Sequence, residues 1–136
     1  MAQLSAILSA MSLGAMLFFS AVVAPTLFKV LPADGAGSFL RALFPKYFIV
    51  NGVLAGVAAL LAYRWAASLI LIACAAAMLG VAVWMIPIIN AARDRMISGR
   101  AGAKTEFDKW HRASVLINML EMVGLACAIV QLLRGA

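Results

Sequence analysis

The sequence predicts an all-α integral membrane protein, a four-helix bundle with a short interfacial amphipathic helix between helices one and two. Three observations lead to that class. Hydrophobic residues make up 66% of the chain and charged residues only 12%, whereas a soluble domain is about half apolar and about a quarter charged. The mean hydropathy of +1.06 means more apolar surface than a small globule can hide from water. The length, 136 residues, allows about four spans of about 20 residues each. No polar stretch is long enough for a second unit, so residues 1–136 form a single transmembrane domain.

Helix one is expected over about residues 4–31. That run lacks a basic n-region and exceeds the length of a signal-peptide h-region, so it reads as a span. Pro25 can kink its end, and Pro32, Asp34, Gly35 and Gly37 mark a turn. Over about 35–44, Phe39, Leu40, Leu43 and Phe44 recur at helical spacing with Arg41 off their stripe. This is the pattern of an interfacial helix. Pro45 is expected to end it, and Lys46 with Tyr47 to anchor the interface. Helix two follows over about 47–63 and carries Gly52 and Gly56, a GxxxG pair that lets a second helix approach closely. Arg64 and Trp65 make a tight turn into helix three, about 66–89, which ends near Trp84 and Pro87. The stretch from Asn90 to Lys104 is polar and basic. Thr105 and Asp108 then have capping-box spacing, placing helix four at about 106–133. The sequence shows no internal repeat.

The basic residues are distributed unequally. The side holding the first and third connections carries Lys29, Arg41, Lys46, Arg93, Arg95, Arg100, Lys104, Lys109 and Arg112, and the other side carries Arg64 and Arg134. The positive-inside rule therefore puts both connections in the cytoplasm and both termini outside. The same clustering at helix ends explains the net charge of +6 without nucleic acid, so the lipid bilayer is the expected partner. Cys74 and Cys127 lie in apolar segments with no ligand spacing around them, which excludes a disulfide framework and a zinc site.

Helix four carries the residues most suggestive of chemistry. Phe107, His111, Ser114, Asn118 and Glu121 are spaced by four, three, four and three, and so share one helical face. Asn118 lies roughly 10 Å beyond His111, and Glu121 roughly 15 Å beyond it, close to the bilayer midplane. A lipid-facing carboxylate there would cost about 2.5–3.5 kcal/mol or more. The face should therefore point into the bundle, with Glu121 protonated or paired with a polar group such as Ser20 of helix one. Two readings stand side by side: a binding face, since intramembrane ionisable residues mark functional sites, or interhelical hydrogen bonds that hold the helices together. His111, beside Lys109 and Arg112, equally reads as capping the wet end of the helix. Asn51, Asn90 and Arg93 are candidates to line the same polar vestibule, and each asparagine could instead satisfy a backbone group at a helix end.

The eight methionines suit Cu(I) as thioether ligands and suit apolar packing equally well. With one histidine, a bis-histidine haem cannot form within one chain. No metal site, cofactor or catalytic residue is assigned. There is no phosphate-cradling glycine loop, no nucleophile with a nearby histidine and no HExxH.

The run Gly14 to Phe28, then Leu31-Pro32, Gly37 and Leu43-Phe44-Pro45-Lys46-Tyr47-Phe48, resembles the transmembrane-protein-205-like family. The bacterial members of that family are grouped as a domain of unknown function. Pro87, Arg93 and Phe107-x3-His111-x2-Ser114-x3-Asn118 resemble its second half. The resemblance implies a four-helix membrane protein of the bacterial inner membrane and makes His111, Ser114 and Asn118 a family feature. Its animal member is associated with resistance to platinum drugs. Members often carry a histidine early in helix one, where Ser5 stands here, and an arginine after the helix-three proline, where Ile88 stands.

These readings lead to three expectations. The first is a non-enzymatic protein that binds or transports a small solute, metal or lipid-like molecule through the helix-four face, as a homodimer with Gly52 and Gly56 at its interface. The second is a membrane oxidoreductase or a haem- or copper-associated protein with His111 as a ligand. The third is a structural or assembly partner without a ligand.

Overall fold

A backbone in hydrocarbon has no water to satisfy its polar groups, so each apolar run of this chain must fold as a helix. The computed structural model describes residues 1–134, and among them there is no strand. Four helices are long and apolar enough to cross a membrane: α1 (Ala2–Val30), α2 (Ala33–Leu61), α3 (Trp65–Ile97) and α4 (Ala103–Leu133). This is the expected all-α membrane bundle. Each helix packs on the next, and α1 closes the ring against α4, leaving α1/α3 and α2/α4 as the diagonals.

The surface is the inverse of a soluble protein's. Leu60 is 86% exposed and Trp84 73%, while Ser5, Ser9 and Ser12 are fully buried. Small residues make this possible. Ala55, Ala58 and Ala59 of α2 lie buried with Ala67, Cys74 and Ala75 of α3, which lets the backbones approach closely. Gly52 belongs to this seam: a Cβ added there would stand 3.0 Å from the Leu79 side chain and 3.3 Å from Met78 Cβ. A Cβ at Gly56 would stand 3.8 Å from Ala75 Cβ. The glycine pair is therefore used within one chain, and the homodimer interface expected at Gly52 and Gly56 is already covered by α3.

The helices have 29, 29, 33 and 31 residues, about 43–50 Å at 1.5 Å per residue, against roughly 30 Å of hydrocarbon. Tyr63, Arg64 and Trp65 mark one boundary, so about 15 Å of helix stands beyond the hydrocarbon at the other, basic end. Ion pairs join the helices in this collar, Arg41 to Asp94 at 2.6 Å and Arg95 to Glu106 at 2.6 Å. Exposed pairs of this kind contribute at most about 1 kcal/mol; they hold register rather than the bundle.

The collar also explains where helix boundaries depart from expectation. The helix expected at 35–44 is present but not separate, because α2 runs unbroken through Pro45. The carbonyl that loses its partner is that of Arg41, an exposed residue in the collar, so the helix loses that bond at its surface rather than in its packed interior. Helix three continues to Ile97 instead of ending near 89, its last turns carrying the polar residues Arg93, Asp94 and Arg95. The capping box does not form. Helix α4 begins at Ala103 after Gly102, whose φ of +78° makes the turn, and Asp108 is bonded to Lys104 at 2.7 Å.

The remaining prolines leave a paired signature. A five-residue π-helical segment, Phe19–Val23, precedes Pro25 in α1, and another, Val81–Met85, precedes Pro87 in α3. Proline lacks an N–H and its ring presses on the carbonyl four residues back; a widened turn relieves that clash without breaking the span.

Packing at Gly52 gives a direct test. Gly52→Leu is expected to destabilise the protein by about 1–3 kcal/mol, the usual effect of overpacking, while Gly14→Leu, which meets nothing within 4 Å, changes stability by no more than about 0.5 kcal/mol. Thermal unfolding of both variants in detergent micelles checks this, and equal losses would contradict the assignment of Gly52 to the α2–α3 seam.

Candidate functional site

The π segment of α1 shapes the site. Helix α1 packs against α4 over Ala2–Phe18. Past that point Phe19 turns onto α2, its ring 5.6 Å from Phe44 and 5.1 Å from Tyr47. The halves of α1 and α4 nearest the basic end are thus left apart, and a cavity of about 330 Å³ opens between them, backed by α2 and α3. Phe19, Phe28, Phe44, Phe48, Ile86, Ile89 and Met119 make its walls mostly apolar. Ser20, Tyr47, Asn90, His111, Ser114 and Asn118 supply its polar groups.

These polar groups are arranged by depth. His111 and Asn90 lie roughly 10–12 Å from the basic ends of their helices, and Tyr47 and Asn118 roughly 21–22 Å. The His111 ring is stacked on Phe107 one turn back, with centroids 5.6 Å apart and planes 9° from parallel. The Ser114 hydroxyl donates to the His111 carbonyl at 2.7 Å. Deeper in, the Tyr47 hydroxyl donates to Asn118 Oδ1 at 3.0 Å. This bond crosses the α2/α4 diagonal and spans the inner part of the cavity.

Four of the seven site residues expected from sequence, His111, Ser114, Asn118 and Asn90, meet in this cavity. Three do not. Asn51 is buried and joins helices: Ser12 of α1 donates to its Oδ1 at 2.8 Å, and its Nδ2 donates to the Tyr47 carbonyl at 2.8 Å. Arg93 lays its guanidinium against Gly37, where a Cβ would otherwise stand. Glu121 is 3% exposed and lies off the cavity wall. Its carbonyl oxygen is 3.8 Å from Cys74 Sγ of α3, and neither of its carboxyl oxygens has a hydrogen-bond partner among the described residues. Ser20, the neighbour expected for Glu121, lines the cavity instead.

Sequence reasoning missed two features. Tyr47 is an interior hydrogen-bond donor rather than an interface anchor, and its spacing of four from Asn51 was the available signal. Ser5, Ser9 and Ser12 form a buried stripe on α1, with Ser5 donating to the Ala58 carbonyl of α2 at 2.7 Å. Their spacing of four and three already placed them on one face.

Among the described residues, no group of three or more His, Cys, Asp or Glu is placed to hold a metal ion. Met119 and Met122 also line the cavity, but they lie roughly 12 and 16 Å along the helix from His111, too far apart to ligate one ion with it.

The family described as "Domain of unknown function (DUF4149)" matches residues 7–98. The chain belongs to this family. The DUF4149 match spans α1 to α3 and stops before α4, so it covers the Phe19, Tyr47 and Asn90 walls of the cavity but not His111, Ser114 or Asn118. A relative from Aquifex aeolicus (strain VF5), described as an uncharacterized protein, is 50% identical over 40 residues. That alignment covers 29% of this chain and 30% of the relative, so the chain spans less than a third of the relative's length. No solved structure matches the chain.

The division between clamp and cavity can be tested by stability. Asn51→Leu removes a buried interhelical bond and is expected to lower unfolding stability in micelles by about 0.6–1.7 kcal/mol. Asn90→Leu, at a half-exposed cavity position, is expected to change it by no more than about 0.5 kcal/mol. An equal effect from both would argue that the two asparagines share one role.

Proposed function

We propose that this DUF4149 protein is a non-enzymatic membrane protein that binds a small amphiphilic molecule entering sideways from the bilayer. One observation carries this reading. The cavity lies between the diverging halves of α1 and α4, with apolar walls along its depth and His111 and Asn90 near the level where the helices leave the hydrocarbon. A molecule with an apolar body and a polar head fits that gradient. Its head would meet His111, Asn90 and Ser114, and its body would pack on Phe19, Phe44 and Phe48, with the Tyr47–Asn118 bond at the inner part. The volume, about 330 Å³, is at the low end for small-molecule sites, which span about 300–1,000 Å³; it suits one small amphiphile rather than a two-chain lipid.

The positive-inside count supports placing the basic end in the cytoplasm, and the motif blocks support a transmembrane-protein-205-like protein of a bacterial inner membrane. The cavity would then load from the cytoplasmic leaflet. A homodimer, if it carries transport, would use a lipid-facing surface other than Gly52 and Gly56.

Native mass spectrometry of protein extracted in mild detergent tests the reading. The wild type is expected to carry a bound species of one reproducible mass. His111→Ala and Asn118→Leu should each lower its occupancy about tenfold, the equivalent of one hydrogen bond of about 1.4 kcal/mol. An unliganded wild type that co-purifies with a fixed protein partner would overturn it in favour of an assembly role, and a bound haem or copper ion would overturn it in favour of redox chemistry.

A further inference from the structure

Glu121 is the one buried carboxyl among the described residues, and the cavity does not use it. It is 3% exposed, and neither carboxyl oxygen meets a donor among the described residues. It lies one turn beyond Asn118 on α4, on the inner side of the Tyr47–Asn118 bond. The titratable groups near enough for its charge to act on them are Tyr47 from α2 and Cys74 from α3. Helix α1 contributes none at this level, since its only charged side chain, Lys29, is in the last turn at the basic end. No cation therefore shares the depth of Glu121.

The geometry points to Glu121 as a proton-binding site coupled to the cavity through the Tyr47–Asn118 bond. A charged carboxylate at this depth with no donor is an unfavourable arrangement, so either a proton or a donor must meet it. Two states follow. With a proton bound, the carboxyl is neutral, and Tyr47 keeps its bond to Asn118 as the structure shows. Without the proton, the carboxylate draws on a neighbouring donor, the Tyr47 hydroxyl or the Cys74 thiol. Turning the Tyr47 hydroxyl to Glu121 takes it from Asn118 Oδ1 and opens the bond that spans the cavity, so proton loss and opening of the inner end are linked through Tyr47. The proton is taken up from water and forms one O–H bond on a carboxyl oxygen. Release returns it to water, with no other bond made or broken. This deepens the proposed function by adding a proton to what the site handles, and its test requires no amphiphile, so either reading can fail alone.

The experiment is an infrared pH titration of the full chain in vesicles of phosphatidylethanolamine and phosphatidylglycerol. Over about pH 5.5–10, above the ordinary carboxyl range of about 3.9–4.3 in which exposed carboxylates lose their band, one neutral-carboxylic C=O band is expected to disappear with a single midpoint, and a tyrosine ring band should shift at that same midpoint. Glu121→Gln should lose the C=O band. Should Glu121→Gln fail to fold, Glu121→Asp serves instead and should keep the band with a moved midpoint. Tyr47→Phe should move the midpoint by about half a pH unit or more. A titrating C=O band that survives Glu121→Gln, or that is unmoved in Glu121→Asp, overturns the assignment of the site. The absence of any titrating C=O band overturns it as well. An unmoved midpoint in Tyr47→Phe overturns the coupling.

Discussion

Inside hydrocarbon a polar side chain can find a partner only on another helix, and much of this bundle follows from that constraint. Ser12 bonds Asn51, Asn51 bonds the Tyr47 carbonyl, and the Tyr47 hydroxyl bonds Asn118. That sequence of contacts ties α1 to α2 and then reaches α4 across the diagonal. Ser5 adds a second α1–α2 tie at the Ala58 carbonyl. Individually such bonds are modest, about 0.6 kcal/mol on average. Together they decide which face of each helix turns inward, because lipid solvates Leu and Trp as well as the interior does and so gives apolar residues little preference. Small residues then set the spacing, and the alanine-rich α2–α3 seam with Gly52 is the tightest example.

The cavity is a consequence of two prolines meeting that constraint. Each of α1 and α3 widens into a π turn ahead of its proline, and in α1 the widened turn carries Phe19 onto Phe44 and Tyr47. The lower half of α1 thereby leaves α4, and the polar face of α4 is exposed to a pocket instead of to a neighbouring helix. His111, Ser114 and Asn118 would be packing residues in a regular bundle. Here they line a space. The same device in two spans is a structural likeness between the halves of the protein that their side chains do not display.

Most of the fold was legible in the sequence because lipid solvation imposes a coarse signal: long apolar runs, basic ends and a tight turn at Arg64 and Trp65. Boundaries were less so. Pro45 read as a stop, yet α2 continues through it, and the carbonyl that loses its partner belongs to the exposed Arg41. Thr105 and Asp108 read as a cap, yet Gly102 makes the turn and Asp108 prefers Lys104. At the site, helical spacing identified the α4 face correctly as a face. It did not separate Asn118, at the cavity, from Glu121, three residues on and buried off the cavity wall.

The sequence alone determined that this is a four-helix membrane protein, which end of it is basic, and which polar residues of α4 share a helical face, because hydropathy, charge and helical period are local properties. Only the tertiary structure decided that Asn51 is a clamp and Asn90 a cavity residue, that Arg93 covers Gly37, and that Tyr47 works in the interior. Those assignments depend on the rotation of each helix about its own axis. That rotation is set by the pairing of polar groups between helices and by where the π turns bend them, and neither can be read from one helix at a time.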